Sequence, residues 1–319
     1  MMIDLPARGY RGRIYLGSFL RYRPLWLNYD GSEKLIDFQV KCTLTNKDIA
    51  FEKLRADKQD LLFIAYDGQP IPYWIENFNN TEIIVWLKFS RIIPGKEVFW
   101  LYYGNSNFSG ASSGEEVFEF FDDFENYAIG AFPNKWLDYG LHGGNEKMVV
   151  DNTYVFHGSQ SLKTNCGGTN NGVQLIKKLS INKSLFFDVW IREPMNLIAF
   201  KLAVNAADNG YWGDEYFLIR DMTDYYYVRY KSANYAETTE ATSVARKPSG
   251  TWVNFQIIFV PPSKVIAYID GTKVKEISDF FTSTPTDIAL IDGWATTSDQ
   301  WWDLVKVRKY TDIEPIILK

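Results

Sequence analysis

The octapeptide Phe118-Glu119-Phe120-Phe121-Asp122-Asp123-Phe124-Glu125 comes just after the Gly/Ser-rich run Ser109-Gly110-Ala111-Ser112-Ser113-Gly114. A linker-like composition followed by an aromatic, acidic run reads as the end of one module and the start of another. Side chains alternate along a strand, so Phe118, Phe120 and Phe124 would share one face and Glu119, Asp123 and Glu125 the other. Acids lined up in this way have three roles open to them: catalysis, metal binding or solvation.

Upstream of this stretch, Arg13 to Tyr103 is a series of short β-type runs punctuated by turn residues, with no sustained helical period. Arg13 to Leu20 and Tyr22 to Asn28 read as strands. Asp37 to Leu44 alternates, placing Phe38, Val40, Cys42 and Leu44 inward, with Cys42 as a small buried hydrophobe. The polar run Thr45 to Asp60 is the one place for a short helix or long loop. Downstream, Asn165 to Gly172 is a loop, longer β runs follow, and Asp270-Gly271 marks a hairpin. No βαβ unit appears. The expected fold class is all-β, with two tandem antiparallel β-sandwich (jelly-roll) domains. Residues 1–21 read as an Arg-rich arm or first strand, 22–113 as the first sandwich and 114–319 as the second.

Composition bounds the function. Aromatics make up 17% of the chain, with 11 Trp and 20 Tyr, a richness suited to sheet cores and to surfaces that stack on flat ligands such as sugar rings. A net charge of -5 argues against a non-specific nucleic-acid binder, which needs a basic footprint. Arg8, Arg11, Arg13, Arg21 and Arg23 form a local exception, read as a solvated or partner-docked arm. Cys42 and Cys166 make no metal or redox spacing. No segment has the length and apolarity of a membrane span, and the N-terminus has no apolar signal region.

Six ordered motifs carry a family resemblance: Tyr22-Arg23-Pro24, Leu35-Ile36-Asp37-Phe38-Gln39-Val40, Pro72-Tyr73-Trp74-Ile75-Glu76, Val85-Trp86-Leu87-Lys88, Leu101-Tyr102-Tyr103-Gly104-Asn105 and Phe120-Phe121-Asp122-Asp123-Phe124. Over Tyr22 to Glu125 the chain resembles the family called domain of unknown function 2341. That family occurs in archaeal and bacterial proteins that often look exported or surface-attached, so the resemblance implies an extracellular, cell-surface or virion-surface location and names no activity. Phe120 to Tyr310 resembles a concanavalin-like or laminin-G-like jelly roll, on the cues Asp122 to Glu125, His157 to Leu162, Asp270-Gly271 and Asp303 to Val307. This second resemblance implies pairing of the first and last strands. It also implies a structural calcium ion (Ca2+) held by Asp123, Glu125 and Asp303, with backbone oxygen from the Gly158-Ser159 turn.

Alternation maps a candidate binding face. Leu185 to Arg192 turns Asp188, Trp190 and Arg192 away from the core, Tyr225 to Tyr230 turns out Tyr225, Tyr227 and Arg229, and Trp252 to Val260 turns out Asn254 and Gln256 beside Trp252. Taken as one sheet face, these offer aromatic rings for the C–H side of a sugar and planar polar groups for its hydroxyls. Trp212 and Trp302, in loops or at strand ends, offer a rim site instead.

Catalytic signatures are weak. A jelly-roll glycosidase strand reading Glu-x-Asp-x-x-Glu is approached by Glu119, Asp123 and Glu125, but Phe121 stands where the middle acid is needed. The two histidines, His142 and His157, leave little for a His-based site. The expected role is non-enzymatic: an extracellular or particle-surface protein whose second module binds glycan. The alternatives are a structural subunit that self-assembles or docks on neighbouring surface proteins, and a polysaccharide-cleaving enzyme.

Overall fold

The computed structural model describes residues 2–5, 12–138, 147–166, 173–192, 198–206, 213–221, 224–293 and 298–319. The chain divides into two units, Met1–Glu119 with Thr311–Lys319, and Phe120–Tyr310. The described residues are almost wholly antiparallel β-structure, as expected, in β-sandwiches of jelly-roll type. Among them no helix is long and apolar enough to cross a membrane.

The first unit contains a four-stranded sheet in the order Ile316–Leu318, Arg21–Tyr29, Gly95–Tyr103, Leu62–Ile64. A three-stranded sheet follows the order Leu35–Thr45, Glu82–Ile92, Tyr73–Phe78. Alternation fills the core, where Leu25, Leu27, Phe38, Val40, Val85, Phe99 and Leu101 meet in one cluster. Each such side chain contributes roughly 1.5–3 kcal/mol by leaving water. Cys42 belongs to this cluster, and burial pushes its thiol up to about 12. The expected strand from Arg13 to Leu20 stops at Tyr15: a 3-10 turn, Leu16–Ser18, replaces its second half, with the Ser18 hydroxyl donating to Tyr15 O at 2.8 Å.

The opening octapeptide is not one strand. Phe118 belongs to the first unit, edge-on to Trp74 and Trp86 with ring centres 5.7 and 5.5 Å away. The strand is only Phe120–Asp122, and Phe120 enters the second unit's core against Trp136. Phe124 adopts φ +60°, which ends the alternation. Nor is Ser109 to Gly114 a free linker. Ser112 accepts from Ile75 N at 2.9 Å, and Ser113 caps a short helix, Gly114–Val117. The boundary therefore falls after Glu119 rather than near Ser113, and the last nine residues belong with the first unit rather than with 114–319.

The second unit packs two sheets around one core. The seven-stranded sheet runs Leu137–Asp138, Val173–Lys178, Asp287–Asp292, Ile198–Val204, Glu215–Asp221, Tyr225–Lys231, Thr238–Ala245. The other sheet runs Lys147–Asp151, Ser161–Asn165, Gln300–Lys309, Leu185–Arg192, Trp252–Val260, Lys264–Ile269, Thr272–Ile277, with Phe120–Asp122 as its eighth strand beside Gln300–Lys309. First and last strands thus pair as expected, Asp122 opposite Val305. Phe187, Phe255 and Ile257 from one sheet meet Phe200, Phe217 and Leu290 from the other. The hairpin at Asp270-Gly271 forms with φ +47° and +76°, the paired left-handed geometry that a two-residue turn requires.

Asp122 fastens the first strand. It is buried, and its carboxylate accepts from Trp136 Nε1 at 2.8 Å, Tyr127 OH at 2.9 Å and Phe124 N at 3.2 Å, with Lys135 Nζ at 3.8 Å. Burial raises its pKa, and Lys135 and these donors oppose that rise.

Candidate functional site

The strand Leu185–Arg192 alternates as expected, with Leu185, Phe187, Val189 and Ile191 buried and Asp188, Trp190 and Arg192 on the outer face of the eight-stranded sheet. Asn254 and Gln256 lie opposite Trp190 and Asp188. These side chains are largely engaged with one another. Asn254 Nδ2 donates to Asp188 and to Val189 O, and Lys306 Nζ lies 3.6 Å from Asp188. The ring of Trp190 is stacked against Phe156, centres 3.9 Å apart and planes 16° from parallel. The Arg192 guanidinium lies 3.5 Å over Tyr154. The polypeptide between Tyr154 and Phe156 thus occupies the ring faces a sugar would need.

Trp302, expected at a rim, is wholly buried in the core, its Nε1 donating to Thr164 Oγ1 at 3.2 Å. Its neighbour Trp301 takes the outer position opposite Arg192. Trp212 lies outside the described residues.

Tyr225, Tyr227 and Arg229 do not share that face. Their strand pairs with Glu215–Asp221 and Thr238–Ala245, so they stand on the outer face of the seven-stranded sheet, across the core from Trp190. Sequence alternation separates inside from outside but does not say which sheet a strand joins. The expected single face is therefore two.

The face that carries Tyr227 has an unusual interior. Register places Gln174, Ile291, Ala199, Arg220 and Tyr227 in one cross-strand row, and Ile176, Ala289, Lys201, Leu218 and Arg229 in the next. Lys201 is wholly buried, with Nζ donating to Gln174 Oε1 at 2.5 Å. Burial lowers its pKa to about 7, against the pull of Asp287. Small residues surround it: Ala199 and Ala203 along the strand and Ala289 across. Arg229 pairs with Glu237, and burial followed by Glu237 pushes the Tyr216 hydroxyl up to about 12. Tyr225 is 46% exposed, and Tyr227 and Arg229 are half-buried. Lys201, Gln174 and Arg220 were absent from the sequence-derived site. One signal for them exists: Ile198 to Val204 alternates large apolar residues with Ala199, Lys201 and Ala203, leaving a lone charge in an otherwise apolar strand.

The three acids expected to bind calcium are only partly together. Glu125 is spent on the 158–160 turn, accepting from Ser159 N, Ser159 Oγ and Gln160 N at 2.6–2.7 Å. That turn offers N–H groups here, not the oxygens a cation needs. Asp303 is wholly buried; Oδ2 accepts from Phe156 N and His157 N at 2.9 Å, while Oδ1 has no hydrogen-bond partner among the described residues. Burial holds its pKa well above the usual carboxylate range despite those amides, and Asp123 pushes it the same way. Asp123 is itself raised, chiefly by burial. No group of three or more His, Cys, Asp or Glu is placed to hold a metal among the described residues. The orphaned Asp303 oxygen beside Asp123 fits an oxygen-seeking cation; Glu125 does not.

The family model of domain of unknown function DUF2341 matches residues 57–138. The match takes in the later resembling motifs and leaves Tyr22-Arg23-Pro24 and Leu35 to Val40 outside it. No curated protein matches the chain. Solved structures similar to it include the cellulose-induced protein Cip1, at 16% identity and TM-score 0.44 over 60% of this chain and 97% of that one. An endo-β-1,4-glucuronan lyase from the fungus Trichoderma reesei matches at 16% and 0.39 over 60% and 96%. The globular domain of T. cruzi calreticulin matches at 9% and 0.45 over 61% and 89%. Likenesses this distant leave activity open.

Proposed function

We propose that the second unit binds glycan, without catalysis, on the outer face of its seven-stranded sheet, in a protein that works outside the cell or on a particle surface. The observation that carries this reading is the placing of accessible Tyr225, Tyr227 and Arg229 on the same face as the buried Lys201–Gln174 pair. The tyrosine rings supply apolar faces, Arg229 supplies planar donors, and Lys201 adds positive field beneath them. Screening of the intact protein and variants on a glycan array tests it. Tyr227→Ala is expected to weaken the best ligand roughly tenfold, whereas Trp190→Ala, whose ring already faces Phe156, leaves it unchanged. A parent protein that binds no glycan, or losses confined to Trp190→Ala, would sink the reading.

A second reading, polysaccharide cleavage, is favoured by one observation: an amine with pKa about 7 can take up a proton at neutral pH. In β-elimination from a uronate a neutral amine removes the proton next to the carboxylate, a C=C bond forms and the glycosidic oxygen leaves with a proton; Lys201, wholly buried in this structure, would have to be uncovered to act in this way. Release of unsaturated chain ends from uronate polymers supports it; their absence across neutral and acidic polysaccharides removes it.

The glycan-binding reading also carries a structural calcium on Asp123 and Asp303, without Glu125. In the metal-free protein both carboxyls titrate above their unfolded values, so between those values the folded state holds more protons and stability falls as pH rises. Calcium is expected to cancel that fall and to raise Tm at pH 7, by about 2.7 kcal/mol of stability at a hundred times Kd. Asp303→Asn is expected to abolish the response, and a Tm indifferent to chelator and calcium rules the metal out.

A further inference from the structure

In the first unit a cleft of about 360 Å³ is lined by both apolar and charged groups. That volume lies in the range of small-molecule sites. Phe89 and Phe99, edge-to-face at 5.3 Å, lie beneath it with Leu27 and Ile71 as part of the buried core, and Tyr66 is the exposed aromatic of its lining. The lining carries four carboxylates, Asp37, Asp67, Glu97 and Glu116, against two cations, Lys88 and Arg91.

Two of those acids are occupied. Asp67 Oδ1 accepts from Gln69 N at 3.1 Å, and Glu97 accepts from Arg91 at 3.4 Å. The side-chain carboxylates of Asp37 and Glu116 take no hydrogen bond or ion pair among the described residues; only their backbone atoms are bonded. Asp37 stands at φ +48°, a conformation uncommon outside glycine, asparagine and aspartate. It lies between Ile36 and Phe38, which pair with Arg91 and Phe89, so Asp37 and Ser90 are the positions left out of that ladder, and both line the cleft. A backbone outlier of this kind is the sort of cost that functional sites retain.

The ligand must match three features at once. Two unpaired carboxylates call for a cation. Lys88, Ser90 and Gln69 beside them are donors, so the ligand must also accept; Lys88 uses only part of its capacity on Glu116 O at 3.3 Å. Tyr66, which lines the cleft and is 65% exposed, offers its ring to a ring-sized apolar face. We infer that this cleft binds an amino sugar, a pyranose with a protonated amino group set against Asp37 and Glu116 and hydroxyls against Lys88, Ser90 and Gln69. A lysine side chain would satisfy the acids and leave those donors facing methylenes. This site is independent of the jelly-roll reading and stands or falls separately.

Calorimetric titration of the intact protein tests it, with glucosamine and its β-1,4 oligomers, the N-acetylated counterparts, glucose oligomers and a lysine-containing tripeptide. The amine-bearing sugars are expected to bind at least about tenfold more tightly than the acetylated or neutral ones, because a charge-assisted hydrogen bond is lost with the charge. Asp37→Asn, which keeps a residue tolerant of left-handed φ, and Glu116→Gln should each weaken the amine ligands by roughly tenfold and leave the weak neutral binding alone. Equal affinity for acetylated sugars, tighter binding of the peptide, or no binding by any of them overturns the assignment.

Discussion

Lys201→Met is expected to melt higher than the parent protein at pH 7 while binding glycan about tenfold more weakly. In the folded protein the amine titrates near 7, whereas the unperturbed value is 10.5. Between those values the unfolded chain holds more protons, so the parent's stability should climb with pH from about 7 towards 10. The difference is on the order of a few kcal/mol. Methionine has similar length and no charge to desolvate, so the variant should start at the top of that climb and show a flat profile, about 5 °C or more above the parent at pH 7. A lysine kept only for packing would give the stability gain with no loss of binding. A variant that melts lower and keeps the parent's pH profile contradicts the burial argument itself.

Asp122→Ala is expected to cost about 3–5 kcal/mol. It would leave the Trp136 and Tyr127 donors, now at 2.8 and 2.9 Å, without an acceptor in the core, and would free the strand Phe120–Asp122 beside Val305 to Val307. Asp122→Asn keeps one acceptor oxygen and should lose less. Asp123→Ala, at a partly exposed position, should lose least. Urea unfolding followed by tryptophan fluorescence reads the series, and a loss below about 1 kcal/mol for Asp122→Ala would show that the network is not what holds this strand.

Much of the fold was legible because period-two alternation responds to burial alone. Leu185 to Arg192 shows it at every position, and the Asp270-Gly271 turn forms for reasons local to two residues. The site was less legible. Tyr225 to Arg229 and Asp188 to Arg192 carry the same inside–outside code on different sheets, and that code contains no term for sheet membership. Trp302 was misplaced because it was expected at a strand end, whereas its strand begins at Gln300 and pairs it with both Leu162 and Ile191. Lys201 was passed over because charge is expected outside, and only the folded sheet, which sets it one row from Gln174 and Arg220, reveals it.

The return of Ile316–Leu318 to pair with Trp26 to Asn28 has a consequence for the order in which the protein can form. On a ribosome, Arg21–Tyr29 emerges early but waits while residues 120 to 310 are made, roughly 10–40 s at ordinary elongation rates. During that interval the second unit is contiguous and free to fold, whereas the first exposes an unfinished sheet edge at Trp26 to Asn28, a template for pairing with another chain. Translation pauses and chaperone binding should therefore bear on the module made first, which is the one completed last.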